Sequence, residues 1–466
     1  MHKLRNQILL AGLLHDIGKF WQRASGYSES AQSNLSTPTL NLAGYICPAN
    51  QKGYFGYQHV LWTAQFLDQY GELFKKFGLM PEPSPGQHQN SLFSLAVYHH
   101  KPYTKEQAFI QLADWWSSGI DRSTSQEYTG PDIYYGRDKY KKSPLRNIFD
   151  AVRTGEKKGE DKIKIEKMHG HRLRPLDLQK ETVFPELIPG NPPDLTGQYA
   201  TLWSQFISEW KQFEPQSEEE LLFGVHHILR KYTWCIPAST VDYPDSSLFQ
   251  HLKITGAIAQ CLFDYSQDFP DHFSYDESKS KLKVNRDGFP LCMICLDVSG
   301  IQSFLYDITS KYAQKSLRGR SFYLQLLLED VLRELITRFD LSWSHVVYSS
   351  GGKAFLLAPN LQNIKGKLEQ FQEDLQEKLW SNFKGSLYIN IGHIPFAYDN
   401  DKSKDILVPS YISSSPITLG ELWKTLMERT GELKFKKFYY PVKHHQAFFE
   451  QLFQPAGFGG ATDLCQ

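Results

Sequence analysis

The chain has 466 residues, with 51 Lys and Arg against 51 Asp and Glu. That length exceeds one compact core, so roughly two to four domains are expected. A formal net charge of zero excludes a global field drawing the protein to nucleic acid, and any such contact must come from local basic patches. Six cysteines over this length do not form a disulfide framework, and no window approaches an uncharged membrane span. The opening "MHKLRNQILLAGLLHDIGKF" is too short and too charged for a signal peptide. A cytoplasmic protein without a membrane segment is the expectation.

Residues 1–122 read as mostly helical. "NQILLAGLLHDIGKFWQRA" sets apolar residues at helical spacing, and "QHVLWTAQFLDQYGELFKKFG" repeats the pattern and stops on Gly78. "SLFSLAVYHH" ends at Lys101-Pro102, and "TKEQAFIQLADWWSSGIDR" opens with Thr104 three residues before Gln107, a capping-box spacing. Residues 123–198 are charged and poor in long apolar runs, which predicts a connector with short strands. Helices return over 199–280. From 285 to 400 the period changes: "FPLCMICLDVS", "HVVYSS", "KAFLLAP" and "GSLYINIGHIPF" are strand-length apolar runs, with helical segments after the first and third. That order, β-α-β-β-α-β, is ferredoxin-like. Residues 401–466 read as a loop-rich linker with one helical piece. The fold class expected is therefore α+β and multidomain, a helical domain followed by a ferredoxin-like one.

Two groups of residues carry chemistry. In the helical part, His15 and Asp16 stand side by side, His59 begins a helix, His99 and His100 end another, and Asp114 lies within "LADWW". Each alone is ordinary. Together, on separate helices of one bundle, they can point nitrogen and oxygen donors at a common interior point and hold a metal ion. His251 is a further candidate, although a histidine packed against the next domain has the same pattern. Lys19 lies one turn beyond the pair and is either a phosphate contact or a solvated lysine.

In the second part, Asp297 ends the first strand, and "YSSGGKAFLL" forms the hairpin of the next two. Gly351 and Gly352 allow a tight turn there. Lys353 and Ala354 follow, and one carboxylate cannot hold two metals. Cys292 and Cys295 fall on opposite faces of a strand and read as core thiols. Lys315, Arg318 and Arg320 near a helix start are either an anion site or structural ties.

"LLHDIGKF", "YHHKP" and "LADWWSSGIDR" resemble the permuted HD-type phosphohydrolase domain of the large subunit of type III-A CRISPR (Csm) effector complexes. "CLDVSGIQSFLYDITSKYAQKSLRGRSFYLQLLLED" resembles the first palm domain of the same subunit. The resemblance implies an HD domain at 1–122, a connector at 123–198, a helical segment at 199–280, a degenerate palm at 285–400, and a linker with the start of a zinc-ribbon region at 401–466. It also implies metal-dependent cleavage of single-stranded DNA, with His15 and Asp16 catalytic. His15, Asp16, His59, His99, His100 and Asp114 would bind a divalent transition metal (Mn²⁺, Ni²⁺ or Co²⁺). ATP would bind at the palm through Ser299, Gly351, Gly352 and Lys353.

The partners so implied are a Csm effector complex with its guide RNA and smaller subunits, and a target RNA as activator. The family's Gly-Gly-Asp-Asp hairpin, which makes cyclic oligoadenylate, does not occur in this sequence. "LFQPAGFGGATDLCQ" matches the lead-in to the zinc ribbon up to Cys465, so the chain reads as an N-terminal portion or a shortened form. A non-catalytic scaffold is the alternative. A free-standing nucleotide phosphohydrolase fits the palm segment less well.

Overall fold

The protein is described by a computed structural model over residues 2–26, 34–80, 90–125, 128–129, 139–151, 163–164, 168–189, 193–240, 244–308, 312–400, 405–444 and 450. It is an α+β molecule. Its helical part contains α1 (His2–Leu14), α2 (Ile17–Ala24), α3 (His59–Tyr70), α4 (Leu92–Val97), α5 (Lys105–Ser125), α6 (Thr196–Gln212), α7 (Glu218–Thr233) and α8 (Leu248–Asp268). The sheet part contains β1 (Leu291–Ser299), α9 (Ala313–Arg338), β2 (Val346–Ser350), β3 (Lys353–Pro359), α10 (Ile364–Phe383), β4 (Tyr388–Tyr398), β5 (Ile406–Leu407) and α11 (Leu419–Glu432).

Two of the expected helices are broken. The first ends at Leu14, and His15 and Asp16 form a turn before α2 starts. The second stops at Tyr70, because Gly71 sits so close to the preceding turn that a Cβ there would lie 2.2 Å from the Leu67 carbonyl; a separate short helix, Glu72–Lys76, follows. Apolar periodicity ran through both breaks because each half buries its face in the same core.

Where helices must approach closely, glycine permits it. A Cβ on Gly12 would fall 2.5 Å from the Gly256 Cα, which marks the crossing of α1 and α8. One on Gly18 would fall 2.0 Å from the His59 carbonyl, where α2 meets α3. Phe20, Phe66, Trp203 and Phe206 interlock beside this crossing, with the Phe20 and Trp203 rings edge to face at 4.9 Å.

The five strands lie in the order β5-β4-β1-β3-β2, with antiparallel neighbours throughout. The side chains of β1 alternate between two cores. Cys292, Ile294, Leu296 and Val298 pack with α9 and α10, while Leu291, Met293 and Cys295 face the core shared with α8 and α11. Cys292 and Cys295 are thus buried on opposite faces, as period two requires. The short β5 lies in the stretch read as linker, and Cys465 lies outside the described residues. Of the connector, only short pieces are described, including a two-residue strand pair, His169–Gly170 with Glu186–Leu187.

Helix α8 joins the two parts. It packs on α1 and α5 on one side and on β3 on the other, and the Lys253 ammonium donates to the Val346 carbonyl at 2.9 Å.

Candidate metal centre

His15 and Asp16 occupy the turn between α1 and α2, which frees both side chains from a regular helical surface. Asp16 stands at the N-cap of α2 but makes no side-chain cap hydrogen bond. Its carboxylate instead meets Lys19 Nζ at 2.5 Å, His59 Nε2 at 2.8 Å and His251 Nε2 at 3.3 Å. The turn is pinned by Thr63 of α3, whose hydroxyl donates to the His15 carbonyl at 2.8 Å and accepts from the Gly18 amide at 3.1 Å.

Six residues singled out in the sequence converge here, together with His251 from α8. They form two donor sets, Asp16, His59, His99 and His100 on one side, and His15, Asp16, Asp114 and His251 on the other. Within each set the candidate ligand atoms lie within 4.8 Å of one another, and Asp16 belongs to both. His100 Nε2 and His59 Nε2 face each other at 3.1 Å, and Asp114 Oδ1 is 3.2 Å from His251 Nε2 and 3.7 Å from His15 Nε2.

Backbone carbonyls orient the rings. His15 Nδ1 lies 2.8 Å from the Gly12 carbonyl, and His99 Nδ1 lies 2.7 Å from that of Ala96. A carbonyl only accepts, so Nδ1 carries the proton and Nε2 is the donor nitrogen of the neutral ring, the arrangement metal-bound histidines use. The Nε2 atoms of His15 and His99 are buried and have no hydrogen-bond partner among the described residues. Buried polar atoms without partners are costly, and a cation relieves that cost. The residues therefore fit a metal ion on donor chemistry and on burial.

The electrostatics point the same way. Burial works against a charged His15, but Asp16 and Asp114 outweigh it and raise its imidazolium to about 10. Burial also opposes the Asp16 carboxylate, yet Lys19, His15 and His59 hold it well below the usual range. Asp114 is likewise lowered against burial, by the His15 and His251 rings that face it. Burial pushes His99 down to about 3, with His15 adding to it, and lowers His59 and His100 as well. Two ionised carboxylates beside His59, His99 and His100, which burial holds toward the neutral form, draw positive charge to the pocket. They hold His15 and His251 toward the imidazolium form, and a divalent cation would compete with those protons.

The residues singled out in the sheet part also gather at one end of it. Asp297 pairs across the ladder with Lys353, and the Val298 amide donates to the Gly352 carbonyl at 2.8 Å. Gly351 and Gly352 both take positive φ, and the Ser299 hydroxyl accepts from Asn390 at 3.1 Å. The Asp297 carboxylate is buried between two ammonium groups, Lys434 at 2.8 Å and Lys353 at 3.4 Å. Lys434 follows α11 and was not visible as a partner in the sequence. Arg320 donates to the Phe304 carbonyl and covers its ring at 5.0 Å, which accounts for it structurally.

Comparison with known proteins bears on both regions. Residues 290–455 match the family described as "Csm1 subunit domain B". A Methanocaldococcus jannaschii protein named "CRISPR system single-strand-specific deoxyribonuclease Cas10/Csm1 (subtype III-A)" is 29% identical over 96% of this chain and 51% of its own length. An Enterococcus italicus protein of the same name is 29% identical over 93% of this chain and 50% of its own. Among solved structures, a Csm1–Csm4 cassette in complex with cA4 has a TM-score of 0.57 at 21% identity, covering 94% of this chain and 49% of that one. Csm1 of T. onnurineus has a TM-score of 0.55 at 22% identity, covering 93% and 50%. The chain is thus a homologue of the Cas10/Csm1 large subunits of subtype III-A CRISPR systems, and it spans about half the length of the relatives it matches.

Proposed function

We propose that the chain carries a metal-dependent phosphodiesterase centre that cuts single-stranded DNA. The observation that carries this reading is the shared Asp16, whose carboxylate belongs to two donor sets at once. Divalent transition metal held there, Mn²⁺, Ni²⁺ or Co²⁺, would supply Lewis-acid charge and a water of lowered pKa. The chain's own residues do the rest. Asp16 anchors both sets, and the Asp114 carboxylate sits between the His15 and His251 rings, 3.7 Å and 3.2 Å from their Nε2 atoms. The carbonyls of Gly12 and Ala96 fix the proton on Nδ1 and leave Nε2 toward the centre. Lys19, a quarter exposed beside Asp16, is the cation that meets an incoming phosphate.

In this reading residues 1–122 form the HD-type domain, 123–198 a connector, 199–280 a helical segment that adds His251, and 285–400 a degenerate palm, with 401–466 leading toward a zinc-ribbon region. Two lysines neutralise Asp297, which supports a palm without two-metal nucleotidyl transfer. Ser299, Gly351, Gly352 and Lys353 remain the proposed contacts for ATP there. The partners proposed are the subunits and guide RNA of a cytoplasmic Csm complex, with target RNA as activator. No helix among the described residues is long and apolar enough to cross a membrane.

Digestion of labelled single-stranded DNA with Mn²⁺, Ni²⁺ or Co²⁺ tests the proposal. Cutting by the wild-type chain is expected, with loss in His15→Ala/Asp16→Ala. Folded, metal-loaded protein that leaves DNA intact would favour the scaffold reading.

A further inference from the structure

Exposed aromatic rings cluster in the segments that carry the donor histidines: Tyr54, Phe55 and Tyr57 precede His59, and Tyr103 follows His100. The segment entering α3 forms a small hairpin in which Ala49 bridges Phe55, and Asn50 accepts from the Tyr54 amide through its side chain. Tyr54 is 71% exposed, Phe55 40% and Tyr57 57%. The chain after α4 is tied to residues just before this hairpin. Its Lys101 ammonium donates to the Gly44 carbonyl at 2.9 Å, and its Tyr103 hydroxyl donates to the Tyr45 carbonyl at 3.4 Å. These bonds lace the two segments into one rim that also exposes Tyr45 and Tyr103.

Tyr57 is the ring nearest the donors. Its centroid lies 4.1 Å from that of His100 and 6.1 Å from that of His59. It holds this place with φ at +52°, a left-handed backbone that a bulky residue adopts at a cost. Strain of this kind persists only where surrounding structure enforces it, and it gathers at ligand sites. An aromatic face half open to solvent and seated on a candidate ligand is placed to receive another flat ring.

We propose that Tyr57, with Tyr45, Tyr54, Phe55 and Tyr103 around it, is a stacking platform for unpaired bases of the strand that enters the centre, and that it makes the site selective for single strands. The inference rests on the phosphodiesterase reading above. A nucleotide whose phosphate reaches His59 and His100 brings its base toward the Tyr57 ring. Only an unpaired base offers a free face, since duplex bases are stacked on one another. Tyrosines suit this role because the ring stacks while the hydroxyl stays in water. Stacking tolerates any base, so the platform selects strandedness and not sequence.

The test is binding of a fluorescein-labelled oligothymidylate to the full chain in EDTA, read by anisotropy, beside a duplex of the same length. Tyr57→Gly removes the ring and accepts the left-handed backbone without strain. It is expected to weaken single-strand binding about ten-fold. Tyr57→Phe should bind like wild type, and Tyr54→Ala/Tyr103→Ala should weaken binding independently, so the outcome does not depend on one variant folding. Unchanged affinity in Tyr57→Gly and in the double variant overturns the platform, as does wild-type protein that binds duplex as tightly as single strands. Absence of cutting by the metal-loaded chain, with this binding pattern intact, overturns the phosphodiesterase reading alone.

Discussion

Gly18 lies against His59: a Cβ at position 18 would fall 2.0 Å from the His59 carbonyl and 2.6 Å from the Thr63 amide. Both obstacles are backbone, so no side-chain rotation clears them. The glycine two residues after Asp16 is therefore what lets α2 and α3 close around the centre. Gly18→Ala is expected to destabilise the protein by about 1–3 kcal/mol, the usual cost of overpacking. It should also weaken Mn²⁺ binding, because His59 is the residue displaced. Thermal unfolding with and without Mn²⁺ checks both, and an alanine variant with wild-type metal affinity would refute the packing account.

Asp16 and His99 should differ in what their loss removes. Two donor sets sharing one carboxylate predict two ions per chain. Asp16→Ala is expected to abolish both, whereas His99→Ala impairs only the set that includes His59 and His100. Calorimetric titration with Mn²⁺ gives the stoichiometry directly. Equal loss in the two variants would mean a single ion at the centre.

The carboxylate of Asp297 is buried while its two lysine partners reach solvent. Removing one lysine leaves the other as counter-charge. Lys353→Met/Lys434→Met together leave a buried charge without its cations, with an expected cost of about 1–3 kcal/mol after allowing for solvent near the rim. Each single variant should cost less than half of that. Urea unfolding of the two singles and the double measures the coupling.

His226 and His345 set an acid limit on stability. Burial lowers His226 to about 3, with His227, Lys253 and Arg230 adding positive charge nearby. Burial lowers His345 to about 3 as well, with Arg5 beside it. Between those values and the ordinary histidine value, the unfolded chain takes up protons that the folded chain does not, so stability falls as pH falls. Each residue should account for about 2 kcal/mol lost between pH 7 and pH 5. Chemical unfolding at the two pH values, compared with His226→Gln/His345→Gln, isolates the effect; the double variant should show a shallower loss.

Much of this was legible in the sequence because it rests on local pattern. The spans of β3 and α10 follow from apolar period and flanking turn residues, and so do the opposite faces of Cys292 and Cys295. The residue types around the centre were legible as ligand chemistry. Their convergence was not, because it depends on how helices cross. His251 had the pattern of any packed histidine until the Gly12–Gly256 crossing brought α8 against α1. Lys434 is one lysine among several after α11, and only the tertiary fold puts it on Asp297. The breaks at His15 and Gly71 were hidden because hydrophobic period continues through them.

The centre is assembled from parts of the chain that are far apart in sequence. During synthesis His15 and Asp16 leave the ribosome first, and His251 arrives only after the whole connector and two further helices. Closing so long a loop comes late, since its entropy must be met before the contacts that reward it can form. The set of His15, Asp16, Asp114 and His251 therefore stays incomplete until α8 has docked, whereas Asp16, His59, His99 and His100 all lie earlier in the chain. As α8 also backs β3, that docking coincides with the sheet gaining its support. Completion of the second donor set is thereby tied to the same docking that joins the helical part to the sheet.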